Sequence, residues 1–357
     1  MRLAILSVTN KGALLADKLA DKLDEDVTVY AKAGRTVNES HHTYESLSAL
    51  VNDIFSVFDG LIFIMATGIV VRTIAPHIVS KQFDPAVVGI DDGGHHAISL
   101  LSGHLGGAND LTRRVATVLG ADPVITTATD VAHKVAADVI AVKLNLAIEP
   151  FDQLKAVNAA IVNEERVIFC IDSDLCYVEY YIAQVRELGI ELENIDRLKE
   201  TATYDVAVVI TDKDLYMVKP HLYLRPYTLA VGIGCRRDTP STMIFEALSL
   251  ACKKIGRSMK SIAVMASAEI KKDEIGLLAA GQQLVVPVYY YENEELRQCI
   301  CKHQLAESDF VKKQIGVGNV CEAAALLAGK SYKLLLPKTK YPQVTIAIAE
   351  ANFLSLE

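Results

Sequence analysis

No CxxC pair occurs among the seven cysteines of this 357-residue chain, and Cys299 and Cys301 flank a single residue. That spacing is poor for a zinc site. An odd number of unpaired cysteines reads as small buried apolar side chains, and a disulfide framework is not expected. No apolar run approaches the roughly 20 residues that a membrane span needs. The run at 3–8 is too short for the core of a secretory signal and no small-residue cleavage site follows it, so it reads as a first strand and the protein as cytoplasmic. No GxGxxG or phosphate-loop fingerprint is present, which removes a nucleotide-binding enzyme from the leading readings. There is no low-complexity tract and no repeat of fixed period. A nucleophile elbow is missing too, so Ser102 is a weak nucleophile candidate.

What is present is an ordinary globular composition, 51% apolar and 22% charged, with material for two or three cores. The net charge of -8 speaks against nucleic acid as a partner. The acidic excess lies in the first two thirds, while residues 226–357 are net basic and suit a small polyanion. Short runs rich in Val, Ile and Leu at 3–8, 27–31, 61–66, 86–90 and 123–126 alternate with segments of helical spacing, such as Leu14, Leu15, Leu19 and Leu23. This predicts an α/β fold with a doubly wound, mostly parallel sheet over residues 1–130. Residues 131–225 read as an irregular α/β middle region, structural or lid-like, with strands at 166–171 and 205–210 and a helix near 181–188. A smaller C-terminal α/β domain is expected over 226–357. Its strands fall at 228–233, 261–266, 284–289, 332–336 and 344–349, and its helices at 239–255, 272–280 and 319–328.

Open α/β sheets bind ligands beyond the carboxyl ends of their strands, so chemistry is expected where these runs stop. After the third run, Thr67 is placed to cap a short helix, Gly68 lets backbone approach an anion, and Arg72 reaches the same group one turn on. The plainer reading is a turn and a surface charge. The densest block follows the fourth run: Asp91-Asp92-Gly93-Gly94, a second apolar run, then Ser102-Gly103-His104-Leu105-Gly106-Gly107-Ala108-Asn109. Glycines this dense suit backbone that bends sharply or lies against a ligand. His104 has the side chain best suited to proton transfer near neutral pH, and Asp91 and Asp92 are candidates to act as base or to orient it. Otherwise the aspartates end a turn and His104 caps a helix. His95 and His96 add imidazoles nearby, but the spacing fits no familiar zinc pattern, and no metal is expected.

The basic third contributes Gly232-Ile233-Gly234-Cys235-Arg236-Arg237-Asp238-Thr239-Pro240, read as strand, glycine turn, guanidinium pair and a Thr239 cap, an anion-binding layout. Cys235 reads as a small residue at a tight turn. Glu322 stands three residues after the helix cap Asn319, which is capping-box spacing; a catalytic carboxylate is the sharper alternative. Lys338 and Lys340 close the last-but-one strand and suit carboxylates.

Together these segments resemble the CbiG family, the cobalt-precorrin-5A hydrolases. The similarity covers GIVVRTIAP at 68–76, IDDGGHHAISLLSGHLGGAN at 90–109, PVITTATD at 123–130, GIGCRRDTP at 232–240, KKDEIGLL at 271–278, VGNVCEAAAL at 317–326 and LPKTK at 336–340. At Asp92 the family pattern more often has glutamate, so the carboxylate has a shorter reach. The resemblance implies a cobalt-corrinoid substrate with acetate and propionate arms, opening of its ring-A δ-lactone by water, and loss of the meso carbon with its methyl as acetaldehyde. It implies no dissociable cofactor, since cobalt arrives within the substrate; no nucleic-acid or membrane partner is expected, and a homodimer is left open. On this view His104, Asp91, Asp92 and Glu322 are the catalytic candidates. Backbone N–H groups at Gly106, Gly107 and Ala108 are candidates to hold an oxyanion. Thr67, Gly68, Arg72, Gly94, Ser102, Gly103, Asn109, Gly232, Gly234, Arg236, Arg237, Thr239, Lys338 and Lys340 contact substrate. The rival reading is a non-catalytic corrinoid-binding protein.

Overall fold

Residues 1–352 are described in a computed structural model, which divides the chain into two units, Met1–Val142 and Lys143–Glu357. The first holds strands β1 (Arg2–Ser7), β2 (Asp26–Lys32), β3 (His42–Tyr44), β4 (Gly60–Ile64), β5 (Ala86–Ile90), β6 (His96–Leu101) and β7 (Asp122–Val124), in the order β3-β2-β1-β4-β5-β6-β7. The first five are parallel; β6 pairs antiparallel with β5 and carries β7 with it. The apolar runs are explained by burial on both faces. Leu3, Ile5, Ile62, Ile64, Val88 and Ile90 pack on helices Asn10–Ala20 and Ala108–Leu119. Ala4, Leu6, Leu61, Phe63 and Val87 pack on helices Leu47–Ile54 and Thr67–Ile74. Each large side chain so buried is worth about 1.5–3 kcal/mol. This is the doubly wound sheet expected from the sequence.

The reversal at β6 has a local cause. The Asp91 carboxylate accepts the backbone N–H groups of Gly93, His95 and His96, and Gly94 takes φ +71°, so the chain turns back directly after β5 and sets Ala97 opposite Ile90.

The second unit holds two sheets. The middle one has β8 (Ala147–Glu149), β9 (Val167–Ile171), β10 (Glu193–Asn194), β11 (Val206–Ile210) and β12 (His221–Arg225), ordered β10-β9-β11-β12-β8, with β8 antiparallel. The last has β13 (Leu229–Cys235), β14 (Ile262–Ala268), β15 (Val288–Tyr291), β16 (Leu334–Tyr341) and β17 (Val344–Glu350), ordered β15-β14-β13-β17-β16. Its two faces differ in side-chain size. Ala230, Ala266, Ala268, Ala347 and Ala349 admit helix Val320–Ala328, whereas Leu229, Val231, Ile233, Met265, Ile346 and Ile348 meet helices Ser241–Lys254 and Ile275–Leu284. Gly232 sits under Val320–Ala328 so closely that a β-carbon there would come 1.8 Å from the Cys321 carbonyl oxygen.

The two sheets are joined by a buried polar network that the sequence reading did not anticipate. Arg225, 1% exposed, donates to Glu149 at 2.8 Å and to the carbonyls of Thr211 and Lys213, and lies 4.0 Å from the Tyr223 ring centre. Ser258 donates to the same Glu149 oxygen, and Asp212 accepts from Thr228 and Arg257. Among the described residues no helix is long and apolar enough to cross a membrane.

Candidate active site

The glycine-rich block at 91–109 divides between two opposite edges of the first sheet. Its aspartates follow β5, at the carboxyl edge of β1, β4 and β5. Its histidine follows β6, which runs the other way, so His104 lies at the far edge. Six residues of β6 separate the two, about 20 Å of strand. The expected pairing of His104 with Asp91 and Asp92 is therefore not formed.

At the first edge the candidate groups are mostly engaged by the fold. Asp91 shapes the turn with both oxygens and also lies 3.3 Å from His96. Burial pushes its carboxyl up, but the N–H donors of His96, Gly93 and His95 outweigh this and hold it below the usual range. Asp92 accepts from the Thr9 hydroxyl, which in turn caps helix Asn10–Ala20 by accepting from Gly12 at 2.9 Å. Thr67 is not a cap: it is the first residue of its helix, the cap position is Ala66, and no side chain closes that end. Arg72 folds back on the Gly68 carbonyl at 3.1 Å.

The second edge holds a dense polar centre. His104 Nε2 lies 2.8 Å from Asp130, and Nδ1 lies 3.2 Å from Asp138. Asp130 also accepts from Arg113 at 2.6 Å and from Asn109 at 3.0 Å. Asn109, 3% exposed, completes its bonds with Ser99 and Thr127. Burial pushes the His104 imidazole down, but the hydrogen bonds and charges of Asp138 and Asp130 outweigh it and hold the group above its ordinary value. Asp130 is pushed up by burial and brought below the usual range by His104 and Arg113.

The loop between β6 and the next helix explains its glycines. A β-carbon at Gly103 would meet the Asn109 side chain at 2.8 Å, one at Gly106 would meet Ser102 at 2.4 Å, and Gly107 adopts φ +83° as the helix cap. Ser102 itself has φ +58°, with its hydroxyl donated to the Asp84 carbonyl. Non-glycine strain of this kind collects at functional sites. His104 does not cap the helix, because that place is taken by Gly107. Nor are Gly107 and Ala108 free to hold an oxyanion: their N–H groups donate to the carbonyls of His104 and Ser102. Of the three expected donors, only Gly106 is without a protein partner among the described residues.

Both acidic partners of His104 escaped the sequence reading, as did Arg113. Asp130 ends the 123–130 motif just past β7, and Asp138 is a lone carboxylate within the apolar stretch at 135–142. Asp138 alone carried a local signal, since a charge in an apolar run is rarely buried without a partner, and nothing local links either aspartate to His104.

In the last sheet the cations separate into engaged and open ones. Arg237 pairs with Asp273 at 2.7 Å and Glu274 at 3.3 Å, and so braces the fold. Arg236, Lys338 and Lys340 have no ion pair among the described residues, and Arg236 and Lys340 are exposed. Lys340 lies opposite Thr345, which lies opposite Gly234, so the open cations gather at the end of β13. The Thr239 hydroxyl donates to the Arg236 carbonyl at 2.8 Å, and Pro240 holds the cap position expected for Thr239. Gly234 has Thr345 against it, at 2.6 Å from where a β-carbon would stand. Asn319 caps its helix as expected, but Glu322 is a brace: its oxygens accept the Lys338 N–H at 2.8 Å and the Asn319 side-chain amide. No group of side chains suited to a metal occurs among the described residues.

Such a set of sheets, with polar centres at strand ends, defines a multi-domain α/β protein. Family models described as "Cobalamin synthesis G N-terminal", "Cobalamin biosynthesis central region" and "Cobalamin synthesis G C-terminus" match residues 49–130, 135–226 and 229–349. A cobalt-precorrin-5A hydrolase of Priestia megaterium is 33% identical, over 97% of this chain and 94% of its own length. The one of Salmonella typhimurium is 38% identical over 84% of each. The crystal structure of CobE, a protein from the cobalamin biosynthetic pathway, is 30% identical and covers 36% of this chain and 93% of its own, with a TM-score of 0.32. The chain belongs to the CbiG family.

Proposed function

We infer that this chain hydrolyses cobalt-precorrin-5A in anaerobic cobalamin synthesis. Water opens the ring-A δ-lactone, and the meso carbon leaves with its methyl as acetaldehyde, giving cobalt-precorrin-5B. The observation that carries this is the likeness to two curated hydrolases over most of the chain, across all three matched regions. The cobalt is part of the substrate and no other cofactor is used; the enzyme works in the cytoplasm, as a monomer or homodimer. Chemistry belongs to the His104 centre, where a titratable side chain stands on strained, glycine-built backbone. Arg236, Lys338 and Lys340 take carboxylate arms.

The test is anaerobic incubation with cobalt-precorrin-5A and assay of acetaldehyde. One equivalent per corrinoid is expected. His104→Ala should slow release by about 10²–10⁴-fold, the usual contribution of an acid–base group. Corrinoid binding with no acetaldehyde would make the chain a binding protein instead.

A further inference from the structure

The His104 centre has a proton inventory that follows from its hydrogen bonds. An ionised carboxylate only accepts, so an imidazole between two ionised carboxylates needs a proton on both nitrogens. Those nitrogens stand 2.8 Å from Asp130 and 3.2 Å from Asp138. Asp130 is kept ionised by two further donors, Arg113 and Asn109. We propose that Asp130 and Asp138 are positioning residues that hold His104 as an imidazolium, so that it enters the reaction with a proton to give and no lone pair to take one. This rests on placing the chemistry at His104, as above.

The other groups packed around the ring fit this state. Thr129 Oγ1 lies 3.4 Å from Nε2. Asp110 pairs with Arg113 at 2.7 Å and shares its charge with Asp130. Asp84 lies beneath the loop, its carboxylate accepting from the Val79 N–H and its carbonyl from Ser102. Burial pushes the imidazole down, but the two carboxylates outweigh it and hold it above its ordinary value, in agreement with this state. Asp130 is the more open of the two partners, with 20% side-chain exposure against 6% for Asp138, so the Nε2 side of the ring is the one nearer solvent. An activated water must then come from another base. The proton on Nε2 goes to the group that becomes basic as the carbon–carbon bond breaks, and the imidazole regains one from solvent.

The experiment is a ¹⁵N-histidine titration of the full chain beside the pH profile of acetaldehyde release. The His104 signal is assigned by its loss in His104→Asn. Both ring nitrogens should be protonated at about pH 7 and titrate above ordinary histidine. Asp138→Asn should move that titration to lower pH, Asp138→Glu should restore it, and the alkaline limb of kcat/KM should move with both. A neutral His104 at pH 7, or a single protonated nitrogen, overturns the imidazolium. A shifted titration with an unmoved pH profile overturns the acid role and leaves a structural ion cluster. If Asp130→Asn does not fold, the wild-type titration and the Asp138 variants still decide. If no variant and no wild type releases acetaldehyde, the hydrolase reading fails by itself, while the titration still reports the charge state.

Discussion

Asp130 gathers hydrogen bonds from His104, Arg113 and Asn109, and this makes the loop beside it sensitive to pH from two sides. His104 is raised in the folded state, so its stabilisation is complete below the unfolded value of about 6.5 and is lost as pH rises through the folded one. Asp130 is lowered, so its stabilisation is present above the unfolded value of about 3.9 and is lost as pH falls through the folded one. Stability from this centre therefore peaks between the two. Urea midpoints should fall on the alkaline side for the wild type, and fall less for His104→Asn, which has nothing there to titrate; parallel slopes would remove the linkage. His104 was legible as the group to watch because its type and setting are local. Its partners were not, since Asp138 lies 34 positions on and only the fold brings it in.

Strands were the most legible elements, because β1, β4, β5, β11 and β17 are short aliphatic runs whose burial on both faces leaves little doubt about period. Their direction was not legible. The run that became β6 reads the same either way, and only the Asp91 turn sends it back, which is why one motif serves two edges. Helix Asn293–His303 was passed over, although Leu296, Cys299 and Ile300 hold helical spacing, because charged residues dominate the segment. The short strands β3, β8 and β10 carry too few residues for any period. Close packing of one helix gives a sharper expectation. Gly232→Ala sets a β-carbon against backbone, at the Cys321 carbonyl, where no side chain can move aside. Helix Val320–Ala328 must lift, at a cost of about 1–3 kcal/mol or more, read as a lower urea midpoint.

Across the whole chain, charge is used in two ways. In the middle of the second unit it is spent on structure. Arg225→Ala would leave Glu149 with Ser258 alone and uncap two carbonyls where two sheets meet, and should cost about 1–3 kcal/mol in urea unfolding. At the end of β13 it is left open. Arg236, Lys338 and Lys340 form no ion pair among the described residues, although Arg237 beside them has two. A chain of net charge -8 that keeps a cluster of cations unpaired has somewhere for an anion to go. If carboxylate arms bind there, each is held alike before and during the reaction. Removing one cation then weakens binding and leaves the chemical step nearly alone. Arg236→Ala, Lys338→Ala and Lys340→Ala should each raise KM by about tenfold, a loss of about 1.4 kcal/mol, with kcat changed little. Added salt should raise the wild-type KM and narrow the gap to each variant. Arg237→Ala should differ in kind, lowering stability through its lost ion pairs. A fall in kcat at saturating corrinoid with KM unchanged would move Arg236 and the lysines from holding the substrate to acting on it.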